Sequence, residues 1–108
     1  MTVNELCEKC GFNKVASPNG DKQVKGGYAG DLLSWVMGRA KEGCAWITIM
    51  SNVNIIAVAS LADVGCIILT EGVKVEDDVI KTAEEKDVNV LSTNLTTYET
   101  AALISKYI

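Results

Sequence analysis

Three short apolar runs constrain this chain more than any other feature. They occupy residues 45–49, 66–69 and 88–91, so their starts fall 21 and then 22 residues apart, and helical sequence follows each. None alternates apolar with polar residues. Strands that are covered on both faces read this way, and a strand–helix unit of that length has room for one crossover and little else. Consecutive units of this kind form a parallel sheet with right-handed connections. The expected fold is α/β: a mainly parallel sheet of consecutive strand–helix units, in two or three layers, with short strands added from the N-terminal part. Most of the signal lies in the continuous stretch 27–71.

The helices between the runs differ in kind. Residues 53–62 contain Val53, Ile55, Ile56, Ala57, Val58, Ala59, Leu61 and Ala62, which leaves no polar face for solvent. Such a helix must be covered on more than one side. The sheet can cover one side, and a twin subunit is an economical cover for the other, so a homodimer is expected through Val53, Ile56, Ala57 and Ser60. Residues 76–86 look different, with Glu76, Asp77 and Asp78 at the positive end, Lys86 at the negative end and a narrow stripe of Val79, Ile80 and Ala83. That pattern suits an ordinary surface helix. Thr96 and Glu99 form a capping-box pattern that opens a last helix containing Ala101, Ala102, Leu103 and Ile104.

Before the first run, Thr2 and Glu5 form another capping-box pattern and predict a helix over 3–9. A strand is expected at 14–16, a turn at Ser17-Pro18-Asn19-Gly20-Asp21, and a second strand at 23–25. Gly26, Gly27 and Gly30 then interrupt regular structure. Asp31 is the expected N-cap of a helix that buries Leu32, Leu33, Val36, Met37 and Ala40 and ends at Gly43. Gly38 inside that helix suggests a close approach of another backbone. Trp35 and Arg39 lie one turn apart on a different face. They suit either a Trp covered by an Arg stem or a contact surface.

At 108 residues the chain fits one domain spanning 1–108, and 48% hydrophobic with 22% charged residues is a globular balance. Ten basic residues against fourteen acids, with Arg39 the single arginine, provide no basic stripe, so nucleic acid is not an expected partner. Asn54, Ser60 and Asp63 interrupt the most apolar stretch before it reaches the roughly 20 residues a membrane span needs. The opening MTVNELCEK has early acids and no apolar core of a signal peptide. A cytoplasmic location without membrane attachment is expected, and there four cysteines stay as free thiols.

Ligands of open parallel sheets sit beyond the carboxyl ends of the strands. Here that crest comprises Ser51, Asn52 and Asn54, then Thr70 and Glu71, then Ser92, Thr93 and Asn94, which is the candidate site for a small polar ligand or an anion. Helix capping alone explains Ser51, Asn52 and Thr96 equally well. Cys7 and Cys10 form a CxxC pair, but a structural zinc needs four ligands, no second CxxC is present, and a redox pair normally opens a helix after a strand. No metal site and no cofactor are expected. Without histidine, a GxxxxGK[ST] loop or a dinucleotide fingerprint, the chain shows no catalytic set, and a non-catalytic role is expected.

The phrases GYAGDLLSWVMGRAKEG, AWIT, NVNIIAVASLADVGCIIL and VLST resemble the DRTGG domain family over about 25–108. Such modules are similar to the N-terminal domain of HPr kinase/phosphorylase and accompany CBS domains. The namesake pentapeptide corresponds to Gln23, Val24, Lys25, Gly26 and Gly27, where the two glycines agree. Kinase chemistry in HPr kinase belongs to a separate P-loop domain, so it is not implied here. The resemblance implies a regulatory or interaction module, often dimeric, acting through a protein partner or a small ligand.

Overall fold

The computed structural model describes residues 1–108. Its elements run α1 (Val3–Cys10), β1 (Asn13–Ala16), β2 (Gly27–Ala29), α2 (Leu33–Arg39), β3 (Ala45–Thr48), α3 (Asn54–Ala62), β4 (Cys66–Leu69), α4 (Asp77–Glu85), β5 (Val90–Ser92) and α5 (Thr97–Ile104). One five-stranded sheet has the order β1-β5-β4-β3-β2. β2, β3, β4 and β5 run parallel, and β1 joins the β5 edge antiparallel. The chain is thus a mainly parallel α/β domain, as its repeated runs require.

Every residue of β3 and β4 is buried. Because side chains alternate along a strand, two separate cores result. Trp46, Ile67, Leu69 and Val90 cluster with Val36 of α2, with Ile55, Ile56, Val58 and Ala59 of α3, and with Val79 and Ala83 of α4. Ala45, Ile47, Cys66, Ile68 and Leu91 cluster with Val3, Leu6 and Cys7 of α1 and Ile104 of α5. The domain therefore has three layers, with three helices on one face and two on the other.

Both expected capping boxes form. Thr2 Oγ1 accepts from the Glu5 N–H and Thr96 Oγ1 from the Glu99 N–H, while each glutamate accepts from the N–H of its threonine. α4 buries Val79 and Ala83 and exposes its acids, as expected of a surface helix.

The edge beyond β3 departs from expectation. Residues 23–25 form no strand: Gln23 makes an isolated bridge to Thr2, and the Lys25 N–H donates to Gly43 O. β2 forms instead at Gly27–Ala29, inside the glycine-rich segment expected to be irregular. Gly26 turns with φ 67°, its carbonyl accepts from the Ala45 N–H, and Gly27 lies so close to Ile104 that a Cβ would come within 3.3 Å of its Cδ1. Pairing with β3 outweighs the low strand propensity of glycine.

α2 is not capped by Asp31. Its N-cap is Leu32, without a side-chain bond, and the Asp31 carboxylate reaches the end of β3, accepting from Thr48 Oγ1 at 2.8 Å and the Ile49 N–H at 3.0 Å. β3 ends at Thr48, one residue before the expected Ile49, whose N–H is taken by that carboxylate. Leu32 and Met37 are exposed, and Val36 alone is fully buried in α2. Nothing lies within 4 Å of a Cβ at Gly38; the close backbone approach is at Gly65, where a Cβ would meet Gly43 O at 2.8 Å.

Two buried polar side chains make opposite contributions. Asn89 accepts from the Asn19 N–H and donates to Asn19 O and Gly65 O, tying the 17–21 turn to the start of β4. Thr100 Oγ1 is buried without a partner. In denaturant titrations Asn89→Ala should therefore cost about 2–4 kcal/mol, whereas Thr100→Val should be neutral or stabilise by about 1 kcal/mol.

Candidate functional site

The carboxyl ends of the parallel strands bring the expected crest residues together, and Asn52, Thr70, Glu71 and Thr93 each commit a side-chain oxygen to a bond within the chain. Asn52 Oδ1 accepts from the Asn54 N–H at 2.9 Å, forming a local turn ahead of α3. Thr93 Oγ1 accepts from the Leu95 N–H, and Thr70 Oγ1 lies 2.7 Å from Thr97 Oγ1. Glu71 has φ 63°, and its Oε2 accepts from the Thr97 N–H at 2.9 Å. The start of α5 is thus occupied by the protein's own carboxylate, where an incoming anion would have been favoured. Ser51 and Ser92 are half-buried and Asn94 is exposed.

Asp31 belongs to this crest but was not among the expected residues. The pattern before α2 made it look like a helix cap, and only the juxtaposition of β2 with β3 shows that it bonds Thr48 and Ile49. Two carboxylates, Asp31 and Glu71, therefore stand at the carboxyl end of the sheet. They set a field that repels phosphates and favours neutral or cationic groups.

The expected contact residues divide between surface and core. Val53, Ala57 and Ser60 are exposed and line a groove of about 420 Å³ between α3 and α4, whose far wall includes Thr82 and Lys86. Ile56 also borders it but is only 1% exposed, so it forms the floor and belongs to the core rather than the outer surface. Trp35 is 52% exposed on α2 and carries the Arg39 guanidinium 3.9 Å from its ring centroid. The Arg covers one ring face and leaves much of the indole in solvent. Across the sheet, Ile47, Ala101, Ile104 and Ile108 border a second recess of about 340 Å³ beside β2.

The CxxC pair lies within α1. Cys7 is buried and its Sγ donates to Phe12 O at 3.1 Å, while Cys10 is half-buried. Burial raises both thiols above their usual range, as it does for Cys44 and, most strongly, Cys66. Protonated thiols are poor nucleophiles and poor metal ligands.

A small three-layer α/β module with an open, mainly parallel sheet is the class these features define. The DRTGG domain family matches residues 29–107, and the chain belongs to that family. Among solved structures, the chain is similar to a crystal structure of the CBS and DRTGG domains of the regulatory region of Clostridium perfringens pyrophosphatase, complexed with the activator diadenosine tetraphosphate. The TM-score is 0.74 at 14% identity, over 95% of this chain and 45% of that one. This chain thus spans less than half the length of that regulatory region. No curated protein matches it. No helix is long and apolar enough to cross a membrane.

Glu5 and Glu99 are held below the usual glutamate value of 4.5, chiefly by the backbone N–H bonds from Thr2 and Thr96. A lowered folded-state value means that the contribution is complete above the unfolded value and disappears as pH falls through the folded one. Denaturant titrations across acidic pH should show wild-type stability falling below pH 4.5 more steeply than that of the Glu5→Gln, Glu99→Gln double variant, whose amides can cap without titrating.

Proposed function

We propose that this chain is a non-catalytic regulatory module that self-associates through the outer face of α2 and α3. The observation that carries this reading is the placement of exposed large apolar side chains. Leu32, Trp35 and Met37 come from α2 and its N-cap, Ile49 from the loop after β3, and Val53 and Leu61 from α3 and its N-cap. Elsewhere only Tyr98 and Tyr107 are comparably exposed, and both carry polar hydroxyls. Apolar surface collected on one layer marks an interaction site. A second copy presents the same surface, so an isologous pair covers both at once.

In this reading Trp35, Val53, Ala57 and Ser60 are interface residues, and Ile56 supports them from beneath. Of the crest residues, Asn52, Thr70, Glu71 and Thr93 fix the loops above the sheet, whereas neither Ser51 nor Asn52 is the expected cap of α3, whose N-cap is Val53 without a side-chain bond. Membership of the DRTGG family, and likeness to a domain from an enzyme's regulatory region, support the regulatory role. We place the protein in the cytoplasm, where reducing conditions keep its four thiols free.

Sedimentation equilibrium at high micromolar concentration should show a dimer. Leu61 is 74% exposed in the single chain, so Leu61→Glu should leave the chain folded, with an unchanged far-UV circular dichroism spectrum. It removes two apolar side chains from a symmetric interface, each worth about 1.5–3 kcal/mol when buried, and should weaken the dimer by about 100-fold or more. A wild-type monomer at that concentration would overturn the proposal.

A further inference from the structure

At the opposite end of the sheet from the crest, the starts of β2 and β3 and the end of α2 enclose a recess of about 360 Å³. Its charged lining is Lys25, Arg39 and Lys41, with no carboxylate among the lining residues. In a chain where fourteen acids outnumber ten bases, three cations on one recess are a local inversion of charge. None of the three is ion-paired: the one ion pair of the chain joins Lys22 to Asp63, and two carboxylates, Glu42 and Asp63, border an adjoining recess that Lys25 also lines.

We infer that this recess binds a polyphosphate group, either free or carried on a nucleoside. The backbone supplies part of the site. Gly26 has φ 67° with open space at its Cβ position, so the turn leaves the approach to the chain clear. The Ala45 N–H bonds Gly26 O and the Gly30 N–H bonds Ile47 O, so even-numbered residues of this strand face β3. Gly27 therefore turns its N–H toward the open sheet edge, where it can donate to a phosphate oxygen.

Two of the cations are positioned before any ligand arrives. Arg39 rests on the Trp35 ring, which restrains a planar fork suited to bidentate phosphate contact. The stem of Lys25 lies against Gly43, where a Cβ would stand 3.7 Å from its Cε. The last carbonyls of α2 oppose an anion, but that helix has seven residues and contributes at most about half a negative charge against three full positive ones. A recess of this size falls at the small end of ordinary ligand pockets and suits a di- or triphosphate better than a larger metabolite.

This site goes beyond the self-association proposal, and the two share one residue, Trp35, on which Arg39 rests. The test is calorimetric titration of the full chain with inorganic triphosphate and with ATP in low-salt buffer, where screening is weak. One saturable event per chain is expected, weakened about tenfold or more by Arg39→Gln and by Lys25→Gln. Lys74→Gln, which removes an exposed cation from the loop before α4, should leave it unchanged. Similar affinities for the two probes would assign the site to the polyphosphate alone; clearly tighter ATP would assign it to the nucleoside form. Absence of a saturable event, or an equal loss in Lys74→Gln, would overturn the inference. Sedimentation of the same samples keeps a failure of this site distinct from a failure of self-association.

Discussion

The central pair of strands must be covered on both faces, and nearly every other feature follows from meeting that demand in 108 residues. β3 and β4 contribute Trp46, Ile67 and Leu69 to one side and Ala45, Ile47, Cys66 and Ile68 to the other. Trp46 is fully buried, and its indole N–H donates to Gly30 O at 2.9 Å. That bond anchors the loop leaving β2, and Asp31, the next residue, reaches Thr48 and Ile49. Burial of one aromatic side chain thereby aligns the strand edge, the entry to α2 and part of the crest.

The same packing separates charge along the strands. Asp31 and Glu71 stand where the parallel strands end, with Glu71 bonded to the first turn of α5. Lys25, Arg39 and Lys41 gather where β2 and β3 begin. An open parallel sheet usually binds ligands at its carboxyl ends because helix N-termini and loop amides converge there. Here the crest amides are largely met by the chain's own oxygens, and two carboxylates discourage anions. The proposed phosphate site lies instead at the amino end, where Lys25, Arg39 and Lys41 form no ion pair.

The parallel sheet was legible because unbroken apolar runs at regular spacing have few other structural solutions. Both capping boxes were legible for a similar reason: they are local, and Thr2 with Glu5 or Thr96 with Glu99 needs no tertiary partner. β2 was hidden because three residues beginning with glycine carry almost no strand signal of their own; β3 supplies the partner that makes them a strand. Asp31 looked like a cap because its position in sequence is that of one, and the atoms it bonds lie 17 and 18 residues away. The basic recess was equally hidden, since its cations come from before α2, from its last residue and from beyond it, and read separately as ordinary surface charge.

The apolar helix α3 shows how far composition can be carried. Its lack of a polar face called for cover on more than one side, and neighbours within the chain supply much of it. Ile55, Ile56, Val58 and Ala59 are buried in a core shared with α2, α4 and the sheet. What stays outside is Asn54 together with Val53, Ala57, Ser60 and Leu61, the last four a stripe at helical spacing along one face. α2 packs on α3 and adds the exposed Trp35, while α4 borders the stripe itself. Composition shows that a helix has surplus apolar surface, but only packing shows which residues carry it.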